Sequence, residues 1–245
     1  MVLEGIDMEE TELVSCFIQA ALARLKSLGL MKRPMRDMPS AMRDSMVKQD
    51  DVWVPWKPVA STVSDSDLDT LERTIRLAYP PAYRHFLKIL HFYDLCGSVD
   101  FFRHPVDKWR AELLGQYKSW LPKRIVGAGL IPFGRETKMD AGPTCFDTGR
   151  RLPNGDCPVV FWDHEWVGKD KEVQPLFSSS IKMFECLLME VEAPDGFVFH
   201  YPGDQEPPLS WKKKQMKRFL EIDPEGAGGP GRSYWTCWGV NPDEG

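Results

Sequence analysis

The sequence predicts an α+β fold, and three observations carry that prediction. Apolar residues recur at helical spacing near both ends of the chain, at Val14, Ile18, Ala21, Leu25 and Leu28, and again at Ile181, Phe184, Leu187, Leu188 and Val191. Between them lie short apolar runs bounded by turn residues, LIPFG (130–134), TCFD (144–147) and PVVFW (158–162), which read as strands. The chain of 245 residues is 42% hydrophobic and 27% charged, enough for one well-filled core plus extensions.

The first helix is expected over Asp7 to Leu28, with Asp7 and Glu10 in a capping-box pattern and Gly29 at its C-terminal turn. Residues 31–50 place Met31, Met35, Met38, Met42 and Met46 around Pro34 and Pro39. A bent connector and a short helix from Ser40 are expected, the methionines padding the core or forming an adaptable partner face. VWVPWKP (52–58) reads as an extended segment anchored by Trp53 and Trp56. Ser66 or Asp67 is expected to cap a helix running to about Ala78, with an acidic first turn. Pro80 and Pro81 end it, and Pro81 opens the next helix, whose apolar side is Phe86, Leu87, Leu90 and Phe92. VDFF (99–102) suggests a strand, and KWRAELLGQYKSWL (108–121) a helix or a long ordered loop.

Asn154-Gly155 is a hairpin-turn signal. PVVFWDHE (158–165) is apolar at nearly every position up to its end, so a central strand is expected. SSSIKMFECLLMEVE (178–192) is a serine-capped helix. The last segment holds a basic helix at 211–220, the glycine-rich PEGAGGPG (224–231), expected to be flexible, and SYWTCWGV (233–240). Trp235 and Trp238 are expected to dock back on the body, because disordered tails are poor in tryptophan.

The net charge of −5 argues against binding nucleic acid through its phosphates and suits a basic partner. No apolar run approaches the ~20 residues of a membrane span. The acidic start MVLEGIDMEETE lacks the pattern of a secretory signal, so a cytoplasmic protein is expected. The six cysteines, Cys16, Cys96, Cys145, Cys157, Cys186 and Cys237, form no CxxC pair and read as reduced, mostly buried thiols. There is no P-loop, GxGxxG, GxSxG or HExxH motif, and no cofactor or metal is expected.

Asp163-His164-Glu165 is the densest set of chemistry-bearing residues. On a regular strand Asp163 and Glu165 would share a face roughly 7 Å apart, at ~3.3 Å rise per residue, with His164 opposite. They could meet at one metal only if the chain turned sharply there. A strand end and turn is the plainest reading; a partner contact or an acid/base site are the alternatives. Cys145, His164 and Asp163 could make a thiol hydrolase if their strands pair. Cys145, however, sits in an apolar strand pattern with no helix N-terminus beside it to lower its pKa.

Four segments carry a resemblance: DLDTLERTIRLAYPPAYRHFLKIL (67–90), LIPFGRETKMDAGPTCFD (130–147), PVVFWDHE (158–165) and SSSIKMFECLL (178–188). In this order they resemble the SUKH superfamily, small α+β domains named partly for a yeast cell-wall assembly regulator and abundant as bacterial immunity proteins. The matching positions are Trp53, Leu71, Glu72, Pro81, Tyr83, Phe86, Leu87, Pro132, Phe133, Gly134, Phe146, Asp147, Trp162, Asp163 and His164. HFYDLCG (91–97) departs from the family's Asn-Gly-Gly, and the stretch 97–129 is longer than usual.

The resemblance implies three parts: a helical N-terminal extension (1–50), a SUKH-like core (51–192) and a partly irregular C-terminal extension (193–245). The expected architecture is a mixed, mainly antiparallel sheet flanked by helices. The expected function is non-enzymatic and needs no cofactor: immunity by binding a cognate toxin or effector and occluding its active site, as a monomer or homodimer, with no nucleic acid or membrane involved. Candidate contacts, chosen for acidity and expected loop positions, are Asp94, Asp100, Glu136, Asp140, Asp163 and Glu165, with exposed aromatics as anchors. A regulatory scaffold and a thiol hydrolase are the alternatives.

Overall fold

Helix α1 (Met8–Ser27) opens the computed structural model, which describes residues 8–44, 52–95, 97–118, 120–136, 142–169, 172–193 and 209–236. It ends as expected. Gly29 takes φ +68°, its N–H donates to Lys26 O at 3.1 Å, and Leu30 N–H reaches back to Leu25 O at 3.0 Å. Asp7 lies outside the described residues.

The connector holds a strand that the sequence did not announce. β1 (Lys32–Pro34) pairs antiparallel with β2 (Trp53–Pro55). Single turns of 3-10 helix follow β1 at Met35–Asp37 and Ser40–Met42. Met38 and Met42 are buried, while Met31 and Met35 pack on the core. Arg43 secures the connector by donating to Met38 O at 2.9 Å. Met46 lies outside the described residues. Only one of the two expected aromatic anchors is buried. Alternation along the strand turns Val54 and Trp56 inward and leaves Trp53 53% exposed.

β3 (Val59–Ala60) leads into α2 (Asp65–Ile75). The cap is Ser64, not Ser66 or Asp67. Asp67 N–H donates to Ser64 Oγ at 3.2 Å, and Ser64 N–H to Asp67 Oδ2 at 3.0 Å, so Asp67 serves the other half of a capping box. The helix stops short of Ala78 because Arg76 turns left-handed, with φ +60°. α3 (Pro81–Ile89) begins at the expected proline and buries Ala82, Tyr83, Phe86 and Leu87. Leu90 belongs to β4 (Leu90–His91), paired with β3, and Phe92 follows it, so both reach the core from extended chain. Glu72 fastens the α2–α3 corner by accepting from Tyr79 N–H at 2.9 Å and Arg84 Nη1 at 2.6 Å.

β5 (Val99–Phe101) is followed by α4 (Trp109–Lys118) and α5 (Trp120–Gly127), so the ambiguous stretch is helical. Then come β6 (Leu130–Glu136), β7 (Pro143–Asp147), β8 (Val159–Trp162) and β9 (Val173–Phe177). These five strands form one sheet in the order β5-β6-β7-β8-β9, each pair antiparallel, so the expected mixed sheet is purely antiparallel among the described residues. Asn154-Gly155 does not close a two-residue hairpin. It lies in a longer β7–β8 connection, where Gly155 N–H donates to Leu152 O and Leu152 N–H to Asp156 O.

Neighbouring residues of the central strands face opposite sides. Ile131, Phe146, Val159 and Phe161 enter the main core, while Leu130, Cys145, Val160 and Trp162 meet Ile125 of α5 in a second cluster. Both faces are covered, which is why PVVFW is apolar at every position.

α6 (Ser180–Glu192) is capped by Ser179, whose Oγ accepts from Lys182 N–H at 3.1 Å. α7 (Leu209–Ile222) and α8 (Arg232–Thr236) follow. The main core runs without interruption from Val14 of α1 to Trp235 of α8, so residues before 51 and after 193 share it with the sheet. The aromatic tail docks as expected: Tyr234 and Trp235 are buried, and Trp235 Nε1 donates to Leu176 O at 2.9 Å. Trp238 lies outside the described residues.

The glycine-rich 224–231 is an ordered turn rather than a flexible one. Asp223 accepts from Ser178 N–H at 2.8 Å, Gly226 N–H at 3.0 Å and Ala227 N–H at 3.1 Å, and from the Ser178 hydroxyl. A Cβ on Gly226 would stand 2.0 Å from Ser178 N, so glycine here permits close backbone packing. Among the described residues no helix is long and apolar enough to cross a membrane.

Candidate functional site

The end of β8 turns, as the plainest reading of the sequence expects. Asp163 caps a 3-10 turn, His164–Trp166, accepting from Glu165 N–H at 2.9 Å and from Gln174 Nε2 at 3.4 Å. Asp163 is 4% exposed, whereas His164, Glu165 and Trp166 face solvent. The shared face that a continued strand would give Asp163 and Glu165 is therefore absent: one carboxylate holds the turn and the other leaves it. Glu172 closes the far side, accepting from Trp162 Nε1 at 3.0 Å and Gly168 N–H at 2.6 Å, with Arg124 beside it. The Gly168 N–H, the Trp162 indole and the Arg124 charge hold the Glu172 carboxyl below its ordinary pKa. Lys169 Nζ lies 5.2 Å from the Trp166 ring centre, a cation–π contact. The sharp turn does not assemble a metal site: no group of three His, Cys, Asp or Glu side chains is placed to hold one among the described residues.

Among the described residues, the acidic candidates do not all face solvent. Asp94 is 2% exposed and ion-paired with Arg33, whose Nε lies 2.8 Å from Oδ2. Asp94 and Asp163 are thus corrected from partner contacts to internal fasteners, since a buried carboxylate needs its partners inside. Asp100 is half-buried on β5, opposite Arg135, and Glu136 stands on β6 opposite Val99. Asp140 lies outside the described residues. Glu165 is exposed.

The family-like positions are mostly structural. Leu71, Tyr83, Phe86, Leu87, Phe133, Phe146 and Trp162 are buried. Pro132 borders the β6 bulge, and a Cβ on Gly134 would stand 2.8 Å from Asp100 O, so that position needs glycine for the strands to approach. Asp147 accepts from Gly149 N–H at 3.1 Å and Arg150 Nε at 2.6 Å. Trp53 and His164 are the exposed members.

Cys145 sits among Ile125, Leu130, Val160 and Trp162. Burial, with the Asp147 carboxylate adding to it, pushes its thiol well above the ordinary value. Burial likewise raises Cys157 to about 11 and raises Cys186. A nucleophilic thiol needs the reverse shift. At neutral pH, mass-mapped labelling with a thiol probe is expected to modify exposed Cys16 at least ~100-fold faster than Cys145, Cys157 or Cys186. Rapid labelling of Cys145 in the folded chain would restore the hydrolase reading.

Sequence reasoning missed the buried polar groups that organise the fold. The three residues of Ser178-Ser179-Ser180 act separately. Ser178 binds Asp223, Ser179 caps α6, and Ser180 N–H donates to Asp156 at 3.2 Å. Asp156 also accepts from Ile181 N–H at 3.2 Å and Cys157 N–H at 2.7 Å, which is what the Asn154-Gly155 turn delivers. The serine triplet was the available signal. His91 and His104, both 0% exposed, form a second internal pair with their Nδ1 atoms 3.2 Å apart. Compared with known proteins, the chain matches no family model and no curated protein.

Proposed function

We propose that this chain is a binding protein that neutralises a cognate bacterial toxin or effector in the cytoplasm by covering its active site. The reading rests on the four family-like segments, and one observation carries it further. The carboxylates at the family-like positions, Glu72, Asp147 and Asp163, are engaged with the chain's own backbone and with neighbouring arginines or a glutamine. What reaches solvent at the end of β8 is an imidazole, a carboxylate and an aromatic ring, from His164, Glu165 and Trp166. An exposed aromatic ring flanked by charged and polar side chains suits an interface anchor.

Trp166 would supply apolar area at the centre of the contact. Glu165 would face a basic substrate cleft, with the net charge of −5 speeding the encounter. Co-purification from the native cell is expected to yield one dominant partner ending in a toxin-like domain. With that partner purified, Trp166→Ala and Glu165→Lys are each expected to weaken binding by about tenfold or more, Glu165→Lys more strongly at low salt. Unchanged affinity in both variants would remove this turn from the interface. A collection of unrelated partners would favour the scaffold reading instead.

A further inference from the structure

We infer that a cavity between the C-terminal half of α1 and the β1–β2 ribbon binds a small organic anion, a monocarboxylate with an apolar body. This does not depend on the toxin-binding reading. The cavity holds about 390 Å³, a size suited to a small molecule. Its walls are largely apolar, formed by Leu22, Met31, Pro55 and Trp56. Its charged lining is Lys26, Lys32 and Lys57 against the single carboxylate of Asp44, so positive charge is in excess. All three lysines are exposed, and no ion pair engages them among the described residues.

The second observation is Trp56 itself. The residue is 2% exposed, and its main chain is fixed by a hydrogen bond from its N–H to Met31 O at 3.0 Å. Its ring packs edge-on against Tyr93, with centroids 5.9 Å apart. Yet its indole Nε1 is buried with no hydrogen-bond partner among the described residues. The indoles of Trp162 and Trp235 show the ordinary arrangement, donating to Glu172 at 3.0 Å and to Leu176 O at 2.9 Å. A buried N–H without an acceptor lowers stability and calls for an explanation such as a ligand or an ordered water. A carboxylate inserted from the lysine rim, with a small shift of the side chains that cover Nε1, would accept from it while its apolar body covers Leu22 and Met31. One buried donor suits a monocarboxylate better than a phosphate, which needs several.

The test is a titration of the full chain, labelled with nitrogen-15 at tryptophan and read at the indole N–H resonances. The probes are naphthalene-2-carboxylate, the neutral naphthalene-2-methanol and inorganic phosphate. The carboxylate is expected to saturate and to shift the Trp56 resonance, with the neutral analogue binding about tenfold or more weakly and phosphate leaving Trp56 unmoved. Trp56→Phe identifies the resonance by deleting it. Lys26→Glu with Lys57→Glu, both exposed and tolerable to the fold, is expected to weaken the carboxylate by about tenfold while leaving the other indoles in place. Equal binding of the charged and neutral probes, no response at Trp56, or full affinity in the lysine variant would each overturn the proposal. A Trp56 resonance that instead shows only exchange with a bound water would assign the cavity to a structural water and overturn it as well.

Discussion

Asp223→Ala is expected to destabilise the fold by about 3–5 kcal/mol and to loosen the C-terminal segment selectively. The carboxylate is 1% exposed and gathers three backbone N–H groups, from Ser178, Gly226 and Ala227, plus the Ser178 hydroxyl. Removing it leaves those donors buried, each costing about 1–3 kcal/mol before local relaxation recovers part. The close approach of Gly226 to Ser178 leaves little room for water to replace the carboxylate. Asp223→Asn keeps one acceptor oxygen but turns an NH2 group toward N–H donors, so an intermediate loss is expected. Urea unfolding gives the free energy, and hydrogen exchange locates it. Gly226, Ala227 and the Trp235 indole should lose protection ahead of β6–β8. A loss below about 1 kcal/mol, or protection unchanged at those sites, would show that the tail is held by its aromatic residues alone.

Asp156→Ala provides the contrast. Asp156 collects Cys157, Ser180 and Ile181 N–H groups at the start of α6, where a carboxylate also complements the helix dipole. Its removal should unfasten the β7–β8 connection from α6, not the tail from β9. Two carboxylates of similar burial, on either side of one serine triplet, thus govern different joints of the same core.

How much of this was legible in the sequence follows from how local each cause is. α1, α6 and β6–β8 could be read because apolar spacing within a dozen residues determines them. The α2 cap was misplaced by two residues. Ser64, Ser66 and Asp67 all suit a cap, and the choice depends on which carboxylate lands at the third helical position to complete the box. β1 was missed because a three-residue strand is defined by its partner, here some twenty residues along. Composition marked 224–231 as flexible, when the glycines are there because backbone meets backbone. The candidate site suffered most. Acidity does not imply exposure: Asp94 meets Arg33 from the N-terminal connector and Asp163 caps its own turn, facts of packing that residue type does not carry.

Acidification below pH ~6.5 is expected to cost this fold stability, and the cause is the buried pair His91 and His104. Their rings stack with centroids 4.6 Å apart. His91 Nε2 accepts from Thr62 N–H at 3.0 Å, which places its proton on Nδ1, directed at His104 O 3.1 Å away. His104 Nδ1 in turn faces Leu90 O at 3.3 Å, and its Nε2 is buried without a partner among the described residues. Protonating His104 would put an unsatisfied charge in the core beside a second imidazole. Burial, reinforced by His91, lowers its pKa to about 3, while the bond to Leu90 O offsets only part. Burial also lowers His91, against the His104 backbone bond and the Asp107 carboxylate, and lowers His85. An unfolded imidazole titrates near ~6.5, so between there and about 3 the unfolded chain binds the extra proton, and stability present above ~6.5 is lost as pH falls. His104 alone should remove about 2–3 kcal/mol between pH ~6.5 and ~4.5, at a limiting slope of ~1.4 kcal/mol per pH unit. The depressed carboxylates Asp65, Asp67 and Glu172 add their losses only at lower pH, below the window from about 6.5 to 5 in which the histidines act. In urea unfolding across that window, His104→Gln is expected to be less stable near neutrality but to lose close to one proton's worth of slope. A variant slope equal to that of the original chain would mean that His104 is not the group being protonated. A titration of the histidine ring signals would then show which imidazole is.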